Sequence, residues 1–347
     1  MAKLNYTYDE MMADYPYAKP HVVMGEKLHG GFDANGKYIS PRMQGRRPAI
    51  EAWSQNVVAN GGELIDVSVK LLKRENYPNH QQQKFLLNLG LGKTLWDSLS
   101  IVGEIEGRGK VLSDSGGPNF QDIIVEDVSN TAIGHLNKGL HHAHGRDEGG
   151  LDGSGVGAHD KMWYVVRDLL FGKNAYPIPT APDNITRPEG MRLFPKLPEQ
   201  HEAFLLIYMN ILMVEVRAEK MFAFCCSLFR DPDLFRDRRA AAEEAATLVE
   251  RIRQDEASHV GYLRAVLSEM RLLTFKLNDG STVKGSDMLD PVWKGMVDFH
   301  STTVYDNSRK LTRESIVKQL MALPDGEALV RQLDALETPL AAAAAAE

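Results

Sequence analysis

From Pro48 onward, apolar residues recur every three or four positions, the spacing of one buried helix face. The spacing predicts a helix from Pro48 to about Glu75, with proline in its first turn and Gly61-Gly62 able to kink it. Tyr77-Pro78-Asn79 breaks the pattern, and it resumes from about Gln81 to Leu112. After the turn-like Ser113–Pro118 it predicts a helix from about Phe120 to His144. Gly145–Gly157 has six glycines among 13 residues and reads as a mobile loop. A shorter helix is expected over Ala158–Phe171, then a proline-rich connection over Asn174–Pro198. Two long helices, Pro198–Arg230 and Pro232–Arg271, are separated by Asp231-Pro232. Thr274–Lys284 alternates about Asn278-Asp279-Gly280, a hairpin signal, and Asp290-Pro291 opens another helix. The first 46 residues, with Pro16, Pro20, Pro41, Gly30-Gly31 and the turn-like Asp33–Gly36, read as an irregular arm. The expected fold class is all-α. Its parts are an arm (1–46), a helical domain (47–271), a C-terminal hairpin with helices (272–340) and an alanine-rich tail (341–347).

Composition narrows the functional classes. The 347 residues are 43% hydrophobic and 25% charged, ordinary for a globular chain that can bury a core. A net charge of -7 gives no reason to expect nucleic acid or an anionic membrane as partner. The most apolar window, Ala203–Val214, spans only 12 residues and contains Asn210, too short to cross a bilayer. Met1–Pro20 lacks a basic stretch followed by an apolar run, so no export segment is expected. Two adjacent cysteines, Cys225 and Cys226, build no disulfide framework, and a reducing cytoplasm is the expected location.

The sharpest motif is Asp255-Glu256-Ala257-Ser258-His259. Glu256 and His259, three apart, share a helix face with Ala245, Val249, Ile252, Leu263 and Met270. A carboxylate and an imidazole pointing into a core need a metal or a partner. In the preceding helix Glu215 and Glu219 lie one turn apart in almost wholly apolar surroundings, so at least one is expected to be a ligand; the alternative is pairing with Arg217 or Arg253. Glu106 falls on the apolar stripe of Leu95, Leu99 and Val102, whereas Glu104, about 160° around the helix, is expected to be solvated.

This layout resembles the ferritin-like dimetal-carboxylate family, in which two helices each give one carboxylate and two others each give a Glu-x-x-His. Gln254-Asp-Glu-Ala-Ser-His259 looks particularly like its aerobic acyl-CoA oxygenase branch. The resemblance covers about residues 81–271 and implies a ferritin-like four-helix bundle with extra helices. It implies that Glu219 and Glu256 are catalytic carboxylates, and that Asp255 supports a ligating histidine from behind. The second Glu-x-x-His is expected about three dozen residues after Glu106, where His142 stands, but its glutamate position is Gly139. Either a histidine such as His135 replaces that carboxylate, or the second metal is weakly held or absent. His141 and His144 point elsewhere on a regular helix, and His159, His201 and His300 are expected to be structural. The implied ligand set is therefore Glu106, His135, His142, Glu215, Glu219, Glu256 and His259.

Such a chain would be a non-haem oxidase or oxygenase using dioxygen to hydroxylate, desaturate or otherwise oxidise a small organic or carrier-bound substrate. Two iron ions are the expected cofactor, with manganese or a mixed Mn/Fe pair compatible with the same ligands. Electrons would come from an external reductase, since the chain has no dinucleotide fingerprint and too few cysteines for an iron–sulfur cluster. A homodimer is an admitted assembly. The rival expectation is an inactive ferritin-like metal-binding or interaction protein.

Overall fold

The computed structural model describes residues 2–72, 74–114, 116–182 and 192–337. The chain is mainly helical. The alanine-rich tail and the middle of the 174–198 connection lie outside the described residues.

The expected irregular arm carries order. A capped turn of helix, α1 (Tyr8–Met12), precedes a three-stranded antiparallel sheet of β1 (Lys19–Val23), β2 (Glu26–Phe32) and β3 (Tyr38–Ile39), in that order. Helix α2 runs Met43–Ala59, starting before Pro48 and ending well short of Glu75. Gly61, at φ +79°, takes the left-handed position that terminates helices. The expected second helix is broken into α3 (His80–Asn88) and α4 (Lys93–Arg108), since Gly90 at φ +76° stops the first. A short turn, α5 (Val111–Asp114), follows.

The Phe120–His144 expectation fails most completely. Only a 3-10 turn (Phe120–Asp122), a second (Ile133–His135) and a wide π turn (Leu136–Leu140) occur before α6 (His141–Gly149). The Gln121 side chain bonds the backbone of Ile124, Glu126 and Val128, closing a loop where a helix would have run. Lys138 and Gly139 leave helical dihedrals altogether. In compensation α6 extends into the expected glycine loop, so Asp147 and Glu148 are helical.

The remaining helices match their expected places more closely: α7 (His159–Phe171), α8 (Glu199–Arg230) and α9 (Arg239–Leu272). The hairpin of β4 (Thr274–Lys276) and β5 (Thr282–Lys284) leads into α10 (Gly285–Ser301), α11 (Thr303–Met321) and α12 (Gly326–Ala335).

α8 and α9 pack antiparallel, pairing Glu219 with Arg253 and Arg230 with Glu243. α4 packs against α7, with the Arg167 guanidinium 4.2 Å above the Trp96 ring, and α7 packs in turn against α9. One core joins α2, α8, α9, α10 and the 120–140 region; another joins α4, α7, α8 and α9. Among the described residues no helix is long and apolar enough to cross a membrane.

Candidate metal centre

Where α4, α6, α7, α8 and α9 converge, the core holds an unusual load of buried polar groups: Glu148, His159, Glu215, Glu256 and His259, with Asp147 and Asp255 behind them. Unpaired charges in such a place would cost several kcal/mol each, about what isolated buried ions lose on desolvation. The donor atoms instead face one another: besides His29, His159 and Asp255, which meet on the far side of the His159 ring, two groups of four converge. His144, Glu148, Glu215 and His259 form one; Glu106, Glu148, His159 and Glu256 form the other. Within each, one donor atom per residue lies within 4.8 Å of the rest, and Glu148 belongs to both.

The distances describe converging donors rather than a closed hydrogen-bond network. Glu148 Oε1 lies 3.0 Å from His259 Nδ1, 3.4 Å from His144 Nε2 and 3.6 Å from His159 Nδ1. Glu256 reaches both histidines, Oε2 to His259 Nδ1 at 2.6 Å and Oε1 to His159 Nδ1 at 2.9 Å. Glu106 Oε2 stands 3.6 Å from His159 Nδ1, and Glu215 Oε1 stands 3.6 Å from His144 Nε2. Yet Glu148 Oε1, Glu256 Oε1 and His159 Nδ1, all buried, have no aligned hydrogen-bond partner. Buried polar atoms are seldom left this way, and a bound cation is one standard explanation.

The far sides of the imidazoles are held. His259 Nε2 meets Asp147 Oδ2 at 3.1 Å, and His159 Nε2 meets Asp255 Oδ2 at 3.4 Å. The two aspartates each precede a cluster glutamate, and each supports the histidine of another helix. With Nε2 so engaged, Nδ1 is the atom turned toward the carboxylates. His144 is reversed: Tyr262 Oη lies 2.8 Å from its Nδ1, leaving Nε2 for the cluster.

The N-terminal segment holds the aspartates in turn. Arg42, immediately before α2, and Arg46, in its first turn, donate to Asp147, the latter at 2.7 Å. Tyr38 Oη donates to Asp255 Oδ2 at 2.9 Å, and His29 Nε2 lies 3.1 Å from the same oxygen. Gly30 permits this, since a Cβ there would meet Tyr38 Oη at 2.4 Å. Gly157 exchanges backbone hydrogen bonds with β2 through Lys27 and His29, which seats the loop immediately before His159. On α6, Gly145 allows close approach to α5, where a Cβ would meet the Ser113 nitrogen at 2.4 Å.

Burial, together with the charges of Glu148 and Glu256, pushes the Glu106 carboxyl well above its ordinary range; burial and Glu256 do the same to Glu215. Burial opposes ionisation of Glu148 too, but the imidazoles of His144, His159 and His259 around it outweigh that and hold the group well below its ordinary value. Glu256 is lowered to about 2, because the imidazolium charges of His159 and His259 overcome burial and its neighbour Glu148. His159 and His259 are raised well above 6.5 despite burial, chiefly by Glu256.

Of the expected ligands, Glu106, Glu215, Glu256 and His259 are brought together, and Asp255 stands behind a histidine of the cluster, His159. Three others are not. Glu219 is paired with Arg253 on the half-exposed side of α8, one turn away from Glu215. His135 spends both nitrogens on backbone, Nδ1 on Thr131 O at 2.7 Å and Nε2 on Tyr6 N–H at 2.9 Å. His142 points at the Tyr8 ring, centroids 5.4 Å apart. Gly139 is no vacant ligand position, since it sits at φ +115° with Met11 2.7 Å from where a Cβ would be. Glu104 is exposed beside Arg108.

His144, expected to point elsewhere, and His159, expected to be structural, both face the centre, and Glu148 was not singled out by the sequence. The Asp147-Glu148 pair repeats Asp255-Glu256, a signal that was present but hidden in an expected loop. His159 lies across that loop, eleven residues from Glu148, so no helical spacing links them.

No protein-family profile, no curated protein and no solved structure matches the chain.

Proposed function

We propose that the chain is a ferritin-like dimetal oxidase or oxygenase. The carrying observation is Glu148, a buried carboxylate common to two four-donor groups, whose Oε1 has no aligned hydrogen-bond partner and stands beside two further unpartnered donor atoms, Glu256 Oε1 and His159 Nδ1. Glu106, His144, Glu148, His159, Glu215, Glu256 and His259 would hold the ions, and the mix of oxygen and imidazole donors suits iron or manganese. When bound, such a pair supplies open coordination positions at which dioxygen is reduced. In a hydroxylation one oxygen atom enters the substrate and the other leaves as water, so two electrons and two protons come from an external reductant.

The chain's own residues do the rest. Asp147 and Asp255 fix the orientation of two imidazoles, and Arg42, Arg46, Tyr38 and His29 keep those aspartates in place. Tyr208, Leu212, Met213 and Val216, on the same helix as Glu215, are buried, so the centre's α8 side would be largely apolar. The rival reading, an inactive bundle, drew its support from the missing carboxylate at Gly139, and Glu148 removes that argument. The test is to load metal-free protein with Fe²⁺ without air, count metal per chain, and follow oxygen with a chemical reductant. Two ions per chain and oxygen uptake are expected; iron-loaded protein that consumes no oxygen with any reductant would refute the oxygenase reading.

A further inference from the structure

The two donor groups are not equivalent. One offers two imidazoles, His144 Nε2 and His259 Nδ1, with Glu215 and the common Glu148. The other offers one imidazole, His159 Nδ1, with Glu106, Glu256 and Glu148. From this difference we infer that the positions load in order: His144 makes its own the tighter site for a later divalent metal, and the carboxylate-rich site at His159 fills second. The inference rests on the dimetal reading above.

His144 has no other evident task. It is buried in α6, its Nδ1 is engaged by Tyr262, and its Nε2 faces Glu148 and Glu215 at 3.4 and 3.6 Å, too long for good hydrogen bonds. Its ring lies on that of His259, with centroids 3.8 Å apart and planes within 10°. Stacked rings put two nitrogen donors on the same side of the centre, away from His159. Imidazole donors favour Fe²⁺, Co²⁺ and Zn²⁺, whereas carboxylate-rich sets accept Mn²⁺ and Mg²⁺ more readily. The supports behind the rings add to the contrast. Asp147, behind His259, is neutralised by two guanidinium groups, while Asp255, behind His159, meets the Tyr38 phenol and the His29 imidazole.

The experiment titrates metal-free full-length protein with Co²⁺, following visible absorption and competition with a chelator. Wild type should bind two ions in two separable steps. His144→Ala should weaken the first step by at least about tenfold, the scale on which even indirect support of a ligand matters, and leave the second. His159→Ala should do the reverse, and Mn²⁺ added after one equivalent of Co²⁺ should take the remaining position. Should His144→Ala not fold, as circular dichroism would reveal, His144→Gln and Tyr262→Phe carry the same comparison. Both steps at wild-type affinity in a folded His144 variant would overturn the inference, as would equal weakening of one step by His144→Ala and His159→Ala. Failure to bind Co²⁺ at all would sink the dimetal reading with it. Two unequal sites that never consume oxygen when iron-loaded would sink only the oxygenase.

Discussion

Two regions supply the centre, and they are built differently. Glu256 and His259 sit midway along α9, a 34-residue helix without interruption. His144 and Glu148 sit on α6, nine residues long, entered through a 3-10 turn and a π turn. In the first region, residues three apart share a face, so spacing reads directly as proximity. In the second, each change of helix type rotates everything after it, and counting forward from Glu106 arrives at His142 rather than Glu148. The comparison teaches that helical phase carries chemistry only as far as the hydrogen-bond ladder stays regular.

The largest effect expected from breaking this comparison is at Glu148. Glu148→Ala should lose both ions, measured as metal per chain by elemental analysis, whereas Glu106→Ala or Glu215→Ala should each lose chiefly one. Retention of both ions in Glu148→Ala would show that the carboxylate is not common to the two positions.

Next come the aspartates, which tie the regions together crosswise. Asp147→Asn and Asp255→Asn should each lower metal affinity by roughly 10–100-fold, the first through His259 and the second through His159. Chelator competition would check this, and an unchanged affinity in both would remove their supporting role.

A third test concerns the anchor between α9 and the broken segment. Glu269 accepts the amide protons of Ala132 and Ile133 at 2.9 and 3.1 Å, at the start of the 133–140 turns. Burial raises its carboxyl to about 8, from an ordinary 4.5. Between those values the folded chain binds a proton that the unfolded chain has released, so stability falls as pH rises from about 4.5 to 8, by a few kcal/mol at most. Glu269→Gln should flatten that decline in chelator-treated protein followed by urea unfolding. An identical pH slope in wild type and variant would show that Glu269 is not its source.

The smallest effects on metal are expected at the residues that spacing alone selected. His135→Ala should keep both ions while costing about 2–4 kcal/mol of stability, from lost packing and two lost backbone bonds. Glu219→Ala, at an exposed pair with Arg253, should change stability by less than about 1 kcal/mol and metal content not at all. Loss of metal in either variant would restore the spacing-based ligand set.

The long helices α7, α8 and α9 were legible because their apolar stripes are continuous and their ends carry breakers such as Asp231-Pro232. Glu106, Glu215, Glu256 and His259 were legible for the same reason, as acidic or imidazole groups on apolar faces. The small sheet was not, because β1 and β2 are short and β2 contains Gly30-Gly31, which reads as a turn. Glu148 was hidden by its glycine neighbours, which in the helix serve close approach of α6 to α4 and α5. His159 depends on a loop closure made by Gly157 against β2, a long-range contact with no periodic trace.

The most direct measurement is anomalous diffraction from crystals of the iron- or manganese-loaded protein. The expected result is two ions about 3.5–4 Å apart, both within coordination distance of Glu148, with His144 and His259 on one and His159 on the other. A single ion, or ions bound by His135 or His142 instead, would contradict it.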